Sequence, residues 1–118
     1  MAIEVQVFGT RKSPETRKAL RFFAERRVKT HFVDLDERPA ALGEIRRFSQ
    51  KFGVAALIAR DSRRFAELGL AQASYSDERW LDKLSQEPGL LRVPMCRCAH
   101  RFTVGLAEGE WSAWVKAT

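Results

Sequence analysis

The segment Ser13-Pro14-Glu15 joins a hydroxyl, a proline and an acid in the order that starts a helix, and Arg11 and Lys12 precede it. Serine is a favoured N-cap, proline suits the first helical position, and an acid in the first turn complements the helix dipole. The unpaired backbone N–H groups of a helix start, flanked by two cations, suit phosphate, another oxyanion or a partner's carboxylate. The sequence therefore predicts an N-cap at Ser13. It leaves two interpretations of the turn open, an anion site and an ordinary solvated loop.

A hydroxyl in a basic turn is also a candidate nucleophile. A serine hydroxyl ionises far above neutral pH, so a serine nucleophile needs an adjacent general base. The chain has two histidines: His31 falls on a predicted strand, and His100 falls on a predicted hairpin remote from Ser13. We therefore expect Ser13 to act as a helix cap rather than as a nucleophile.

Cys96, Cys98 and His100 alternate along the chain, so on a single strand their side chains would share one face. Such a cluster is a candidate partial soft-metal site or redox pair. A zinc site normally needs four ligands at wider spacings, and the chain has no further cysteine. Two cysteines this close on a strand also make a poor structural disulfide. The favoured interpretation is a pair of buried, reduced thiols with no bound metal or cofactor, and the redox interpretation stays open.

The positive charge of the chain is unevenly distributed. The 118 residues carry a formal net charge of +6; residues 1–70 hold 15 Lys and Arg against 9 Asp and Glu, whereas the remainder holds 6 of each. Arg17, Lys18 and Arg21 fall on the polar side of the helix predicted after Ser13. This imbalance suits an acidic protein, a nucleic acid or an oxyanion as partner, and it is equally compatible with a solvated basic surface.

The composition excludes several classes of protein. A hydrophobic content of 45%, with 10% aromatic residues, is enough for a packed core and argues against disorder. No apolar run approaches the ~20 residues of a membrane-spanning helix. The first residues are typical of a strand rather than of a secretion signal. We therefore expect a cytoplasmic protein that does not associate with membranes.

Hydrophobic periodicity predicts a mixed α/β fold. A strand–helix–strand unit needs a right-handed crossover between parallel strands, and a later hairpin completes a four-stranded mixed sheet. The predicted order is βαβ, then helices, then ββα, which is the order of a thioredoxin-like fold with a helical insert. The predicted strands are residues 3–8, 29–35, 95–98 and 101–105, and the predicted helices are residues 14–26, 39–52, 55–58, 63–68, 77–84 and 108–115.

Five stretches resemble the arsenate reductase (ArsC)/Spx family, in one order and spacing along nearly the whole chain. They are FGTRKSPETRKAL (residues 8–20), ALIAR (56–60), FAELGL (65–70), PGLLRVPM (88–95) and VG (104–105). The resemblance implies a single thioredoxin-like domain over residues 1–118, with a helical insert at about residues 38–88. It also implies a cis peptide bond before Pro94.

The resemblance also implies roles for particular positions. This chain departs from the family pattern at the positions that carry the family's reactive and anion-binding residues. Ser13 stands where the family's reductases carry their nucleophilic cysteine, so no residue is expected to be catalytic by the usual mechanism. Thr16 stands where Spx-type regulators carry a second cysteine. The arginine that precedes the cis-proline is replaced by Val93, with Arg92 one place earlier, and Arg60 lies near the family's other anion-binding arginine. The implied anion- or partner-binding set is Arg11, Lys12, Ser13, Arg17, Arg60 and Arg92.

These residues and the resemblance support three functional hypotheses. The leading one is a non-catalytic regulator of the Spx kind that binds a macromolecular partner, for which the resemblance implies RNA polymerase. The second is an arsenate-reductase-like or glutathione-linked oxidoreductase that uses Cys96 or Cys98 instead of the missing thiol. The third is a nucleic-acid-binding module, which ranks lowest because no recognition helix or aromatic stacking platform is evident. A small anion or glutathione is the expected ligand if the turn at Ser13 binds one.

Overall fold

The computed structural model describes residues 3–117, which contain four strands, five α-helices and three short 3₁₀ turns. None of these helices is long and apolar enough to cross a membrane. All predicted elements are present, and their ends differ by at most two residues except for the start of the second helix. The strands are β1 (Glu4–Gly9), β2 (Lys29–Asp34), β3 (Met95–Cys98) and β4 (Arg101–Val104); the helices are α1 (Pro14–Glu25), α2 (Leu42–Phe52), α3 (Arg63–Glu67), α4 (Asp77–Gln86) and α5 (Glu108–Lys116); the 3₁₀ turns are Val54–Leu57, Leu70–Gln72 and Pro88–Leu90.

The strands form one mixed sheet in the order β2-β1-β3-β4. β1 and β2 are parallel, with Gln6 opposite His31. β3 is antiparallel to both of its neighbours, and Gln6 lies opposite Arg97 on that side. Parallel neighbours need a crossover, which α1 supplies, whereas a tight turn joins β3 to β4. The predicted four-stranded mixed sheet, built from a βαβ half and a ββα half, is confirmed.

The chain divides into two compact units. The sheet unit runs up to Arg38 and resumes at Val93, and the insert unit is Pro39–Arg92. All four strands, α1 and α5 belong to the sheet unit, whereas α2, α3 and α4 belong to the insert unit.

One face of the sheet forms the core of the sheet unit together with α1 and α5. Phe23 of α1 contacts both tryptophans of α5, with ring centroids 5.5 Å from Trp111 and 6.4 Å from Trp114. Trp111 Nε1 donates a hydrogen bond to Thr103 Oγ1 at 2.9 Å, so the buried indole N–H is paired. This packing encloses both cysteines of β3. The buried cluster consists of Val5, Val7, Ala19, Phe22, Phe23, Cys96, Cys98, Trp111 and Trp114.

The insert unit packs the apolar face of α2 against that of α4. A bidentate ion pair joins the two helices, with Arg46 Nη1 and Nη2 donating to the Glu78 carboxylate at 2.6 and 3.1 Å. A second bidentate pair links α3 to the turn after α4, through Arg64 and Glu87 at 2.8 and 2.9 Å. Paired guanidinium–carboxylate contacts of this kind fix geometry more firmly than single contacts do. The buried residues of the two packed helices are Ile45, Phe48, Trp80, Leu81 and Leu84.

α2 begins later than the sequence predicts. The prediction starts this helix at Pro39, whereas the N-cap is Ala41, whose N–H donates to Glu44 Oε1 at 3.1 Å. Ala40 is buried, and its carbonyl accepts a hydrogen bond from Ser85 Oγ at 3.0 Å. The helix starts late because the hydrogen bond from Ser85 of α4 holds the chain at Ala40 in a non-helical conformation.

Candidate functional site

The turn between β1 and α1 is closed by Ser13. The Ser13 N–H donates to the Thr10 carbonyl at 3.1 Å, and the Ser13 carbonyl accepts the first helical bond from the Arg17 N–H at 3.0 Å. Ser13 has an extended backbone, and its Oγ accepts a hydrogen bond from the Thr16 N–H at 3.1 Å. The predicted N-cap is confirmed. Its side chain satisfies one of the backbone donors that a helix start leaves unpaired.

The proton of the Ser13 hydroxyl also has a partner. Ser13 Oγ donates to Glu15 Oε2 at 3.3 Å, so the hydroxyl both accepts and donates within its own helical turn. The Glu15 carboxylate therefore already supplies negative charge at the positive end of the helix dipole. An anion bound at this turn would face that carboxylate.

Two of the basic side chains around the turn contact the protein itself. Arg17 Nη1 donates to the Arg11 carbonyl at 2.6 Å, which clamps the turn to the helix. The Arg11 guanidinium carbon lies 4.9 Å from the Phe32 ring centroid, and its Nε lies 3.8 Å from Asp34 Oδ2. Arg11 is thus directed towards β2. Lys12 is exposed, and its side chain has neither an ion-pair nor a hydrogen-bond partner within residues 3–117.

Helix α1 approaches the end of β1 closely because Gly9 has no side chain. A Cβ at Gly9 would overlap Thr16 Oγ1 and would lie 2.7 Å from Thr16 Cγ2. Thr16 is completely buried, and its Oγ1 has no hydrogen-bond partner among the described residues. A buried, unpaired hydroxyl is unfavourable by about 1–3 kcal/mol. Position 16 is therefore tightly packed but poor in polar contacts.

Neither histidine is a hydrogen-bond partner of the Ser13 hydroxyl. His31 lies on β2 with its Nε2 3.6 Å from Glu4 Oε2. His100 is exposed in the turn that joins β3 to β4. The partners of the Ser13 hydroxyl are the Thr16 N–H and the Glu15 carboxylate, and neither is a histidine.

The two thiols lie in the core of the sheet unit. Cys96 is fully buried, and burial raises the pKa of its thiol to about 12, with a hydrogen bond involving Thr103 acting in the opposite direction. Burial also raises the pKa of Cys98, against the opposing charge of Arg101. Because the thiolate is the reactive form of cysteine, burial disfavours the reaction of both thiols at neutral pH.

His100 does not share a face with the two cysteines, contrary to the prediction. β3 ends at Cys98, and Ala99 adopts a left-handed conformation with φ of +55° that turns the chain. The period-two alternation therefore stops before His100, which is exposed while both cysteines are buried. No group of three or more His, Cys, Asp or Glu residues suited to a metal ion occurs in residues 3–117.

The remaining predicted site residues belong to the insert unit or lie at the start of the second half of the sheet unit. The Val93–Pro94 peptide bond is cis, and the Pro94 carbonyl accepts a hydrogen bond from the Gly105 N–H at 2.8 Å. Arg60 and Arg92 are both exposed residues of the insert unit. An antiparallel bridge between residues 58 and 91 brings the segments that carry these two arginines side by side.

The model of one protein family, the ArsC family, matches residues 8–114. The chain belongs to the ArsC family. Its structure is similar to that of an arsenate reductase from Vibrio cholerae, with a TM-score of 0.78 and 20% identity over 88% of this chain and 91% of that one.

Other solved structures resemble this ArsC family chain to a similar degree. The YffB protein aligns with a TM-score of 0.85 and 19% identity, covering 92% of this chain and 96% of that one. An arsenate reductase (ArsC) related protein from Brucella melitensis aligns with a TM-score of 0.68 and 18% identity, covering 98% and 96%. At these identities the structures show the thioredoxin-like fold alone. No curated protein sequence matches the chain.

The sheet unit of this ArsC family chain also has a polar groove that the sequence does not predict. The groove has a volume of about 700 Å³ and is lined by residues of β1, β2 and β3 together with Arg38 and Ala99. Its strand residues include Gln6, His31 and Arg97, which the pairing of the three strands brings together. The alternation of polar and apolar residues in β1 is the signal that could have indicated an uncovered face. Which strands lie beside β1 is not a local property of the sequence.

Proposed function

We propose that this ArsC family protein is not a thiol-dependent enzyme and acts by binding a macromolecular partner, with Ser13 at the position of the family's nucleophilic cysteine. One observation carries the proposal: Ser13 Oγ is used as a helix cap, while the Cys96 and Cys98 thiols are buried. Thiol-based reduction needs an accessible thiolate. None of these three groups supplies one at neutral pH.

The proposed contact surface is the polar side of α1, formed by Arg17, Lys18 and Arg21 and called here the α1 basic surface. All three residues are exposed. Lys18 and Arg21 border a groove of about 300 Å³ that Phe22, Glu25, Arg26 and Glu108 also line. Arg26 donates to the Phe22 carbonyl at 3.0 Å and packs over its ring, so it is held in place beside the groove.

A surface of this kind suits an acidic partner. Exposed cations steer association with a negatively charged surface and raise its rate. The likeness to Spx-type regulators suggests RNA polymerase as the partner, and such a partner implies that the protein acts in the cytoplasm. A small anion or glutathione at the turn that holds Lys12 and Ser13 is compatible with this function, but the Glu15 carboxylate beside the Ser13 hydroxyl weakens the case for it.

Two other functions have less support. An arsenate-reductase-like or glutathione-linked oxidoreductase would need Cys96 or Cys98 as nucleophile, and burial raises the pKa of both thiols. A nucleic-acid-binding module would need the α1 basic surface to track phosphates. Its binding would then fall steeply with salt, because neutralised phosphates release counterions.

The proposed partner surface can be tested with purified RNA polymerase. The double variant Lys18→Glu with Arg21→Glu should weaken binding by at least about tenfold, because both charges reverse on the contact surface. Arg17 is left unchanged because it clamps the turn at Arg11. The control is Arg47→Glu with Arg63→Glu, an equal change of charge at exposed positions of the insert unit.

Binding should be measured by surface plasmon resonance at two salt concentrations. Equal weakening by the two double variants would mean that the α1 basic surface is not the contact. Failure of the unchanged protein to bind RNA polymerase would rule out this partner.

The absence of thiol-dependent catalysis has its own test. The purified protein should reduce neither arsenate nor a disulfide substrate faster than the buffer with its reductant does. Turnover that disappears when Cys96 or Cys98 is replaced by alanine would contradict the proposal and would favour the oxidoreductase function.

A further inference from the structure

The face of the sheet opposite α1 and α5 carries the polar groove described above. Val5 and Val7 of β1 point into the core cluster, so the alternate positions Glu4 and Gln6 face the other side of the sheet. Gln6 is paired with a residue of β2 on one side and of β3 on the other. Side chains at paired positions of neighbouring strands lie on the same face. Three strands therefore contribute polar side chains to one concave surface.

Two guanidinium groups of this groove have no carboxylate partner within the described part of the chain, residues 3–117. Arg97 Nε donates to the Ala99 carbonyl at 2.8 Å, a contact that orients the side chain without neutralising its charge. The Arg38 side chain has neither an ion pair nor a hydrogen bond among residues 3–117. A guanidinium offers a planar fork of donors that matches a carboxylate or a phosphate. The groove thus presents two positive groups, one held in place and one unengaged.

Glu4, the carboxylate of the groove, is paired with basic side chains of β2. Glu4 Oε1 lies 3.2 Å from Lys29 Nζ, and Glu4 Oε2 lies 3.6 Å from His31 Nε2. The hydrogen bond and charge of Lys29 hold the pKa of Glu4 below its usual value, so Glu4 is ionised at neutral pH. Its charge is matched by Lys29 and does not cancel those of Arg38 and Arg97. The carboxylate still offers acceptor positions to a hydroxyl or an ammonium group.

We propose that this groove is a binding site for a small organic oxyanion. The carboxylate or phosphate of the ligand binds Arg38 and Arg97, and a neighbouring hydrogen-bonding group of the ligand binds Gln6 and Glu4. The volume of about 700 Å³ is within the range of small-molecule sites, and the polar lining selects a polar ligand. The site lies on the face of the sheet away from α1, so it does not depend on the α1 basic surface or on the proposed partner.

Nuclear magnetic resonance of the ¹⁵N-labelled full chain tests the site with three defined probes. Succinate presents carboxylates, inorganic phosphate presents phosphate alone, and O-phosphoserine presents a phosphate together with an ammonium and a carboxylate. We expect saturable shifts of the backbone amides of Gln6, His31 and Arg97 with at least one probe. Shifts with succinate alone would indicate a carboxylate ligand, and shifts with phosphate or O-phosphoserine would indicate a phosphate ligand. Lack of saturable shifts at these amides with all three would overturn the proposal.

Matched arginine variants make the test specific. Arg38→Gln should weaken probe binding by at least about tenfold, because a charge-assisted hydrogen bond is lost. It should not disturb the fold, since the Arg38 side chain has no partner within residues 3–117. Arg97→Gln should weaken binding similarly. Arg47→Gln, the same change at an exposed position of α2, should leave binding unchanged within about twofold. Equal weakening by Arg47→Gln would show general charge attraction and would refute the site.

Discussion

The turn at Ser13 and the strand at Cys96 present opposite combinations of side chain and surroundings. The turn has the features that activate a thiol, namely a helix start and basic neighbours, but it carries an alcohol that caps the helix. The strand carries the thiols, but it encloses Cys96 completely among aromatic and aliphatic side chains. The comparison shows that the surroundings that favour a thiolate and the thiols themselves lie at different positions of this fold. Reactivity needs the nucleophile and its activating surroundings at the same position.

The strongest way to break this comparison is to put a thiol at the helix start. In Ser13→Cys the introduced thiol should have a pKa below the ordinary ~8.5, because the helix dipole and nearby cations should outweigh the Glu15 carboxylate that contacts position 13. At neutral pH it should react with iodoacetamide at least on the order of a hundredfold faster than Cys96 or Cys98. Mass spectrometry of timed samples measures each site. If the introduced thiol reacts as slowly as Cys96 and Cys98, the helix start and its basic neighbours do not lower the pKa of a thiol at this position.

The buried side of the comparison predicts a loss of stability at alkaline pH. Folding raises the pKa of Cys96 to about 12, whereas an unfolded thiol has a pKa of ~8.5. Between these values the folded state binds more protons than the unfolded state, so the free energy of unfolding falls as pH rises through this window. At pH ~10 the contribution lost is about 1–2 kcal/mol.

Urea denaturation at neutral and alkaline pH measures this loss. Tyrosine and lysine groups titrate in the same range, so the comparison must be made with Cys96→Ala. That variant should have lower stability at every pH because of the cavity it creates, but a shallower decline as pH rises. An identical decline in the two proteins would show that Cys96 is not responsible.

At the turn, Ser13→Ala should lower the free energy of unfolding by ~1 kcal/mol, because the Thr16 N–H loses its acceptor. The matched control is Ser76→Ala, which removes the equivalent N-cap of α4, where Ser76 Oγ accepts from the Arg79 N–H at 3.2 Å. Chemical denaturation of the three proteins gives the comparison. Unchanged stability of Ser13→Ala, with a loss in Ser76→Ala, would count against the cap at Ser13.

The smallest expected effect is at Thr16, between the turn and the core. Thr16→Val keeps the shape and removes a buried hydroxyl that has no partner in the described structure, so stability should rise by up to ~1 kcal/mol. Thr103→Val is the control, because it removes the acceptor of the Trp111 indole N–H and should lower stability by about 1–3 kcal/mol. A loss of stability in Thr16→Val would reveal a polar contact at Thr16 Oγ1 and would revise the packing described for Gly9.

The start of α1 could be predicted from sequence because its determinants are local. A hydroxyl, a proline and an acid in succession specify the cap, and the structure has the bonds that this order implies. The start of α2 could not be predicted as well, because Ala40 is fixed by a hydrogen bond from α4. His100 was expected beside the cysteines because alternation was extended past the point where Ala99 turns the chain.

The two candidate sites, the turn at Ser13 and the polar groove, also differ in how far the sequence alone predicts them. Ser13 and its basic neighbours are consecutive in the chain, so their proximity follows from the sequence. The groove with Arg38 and Arg97 depends on β1 lying between β2 and β3, a pairing between segments far apart in the chain. Burial of the thiols was predicted as a preference of cysteine, but only the packing of α1 and α5 on the sheet gives its physical cause.

The most direct test of the central claim is the pH dependence of thiol alkylation in the unchanged protein. Iodoacetamide modification of Cys96 and Cys98 should stay slow through neutral pH in the folded protein, and should become fast in denaturant. A folded-state reaction that rises with a midpoint below the ordinary thiol pKa of ~8.5 would contradict the account. Such a result would mean that at least one thiol of β3 is accessible and activated.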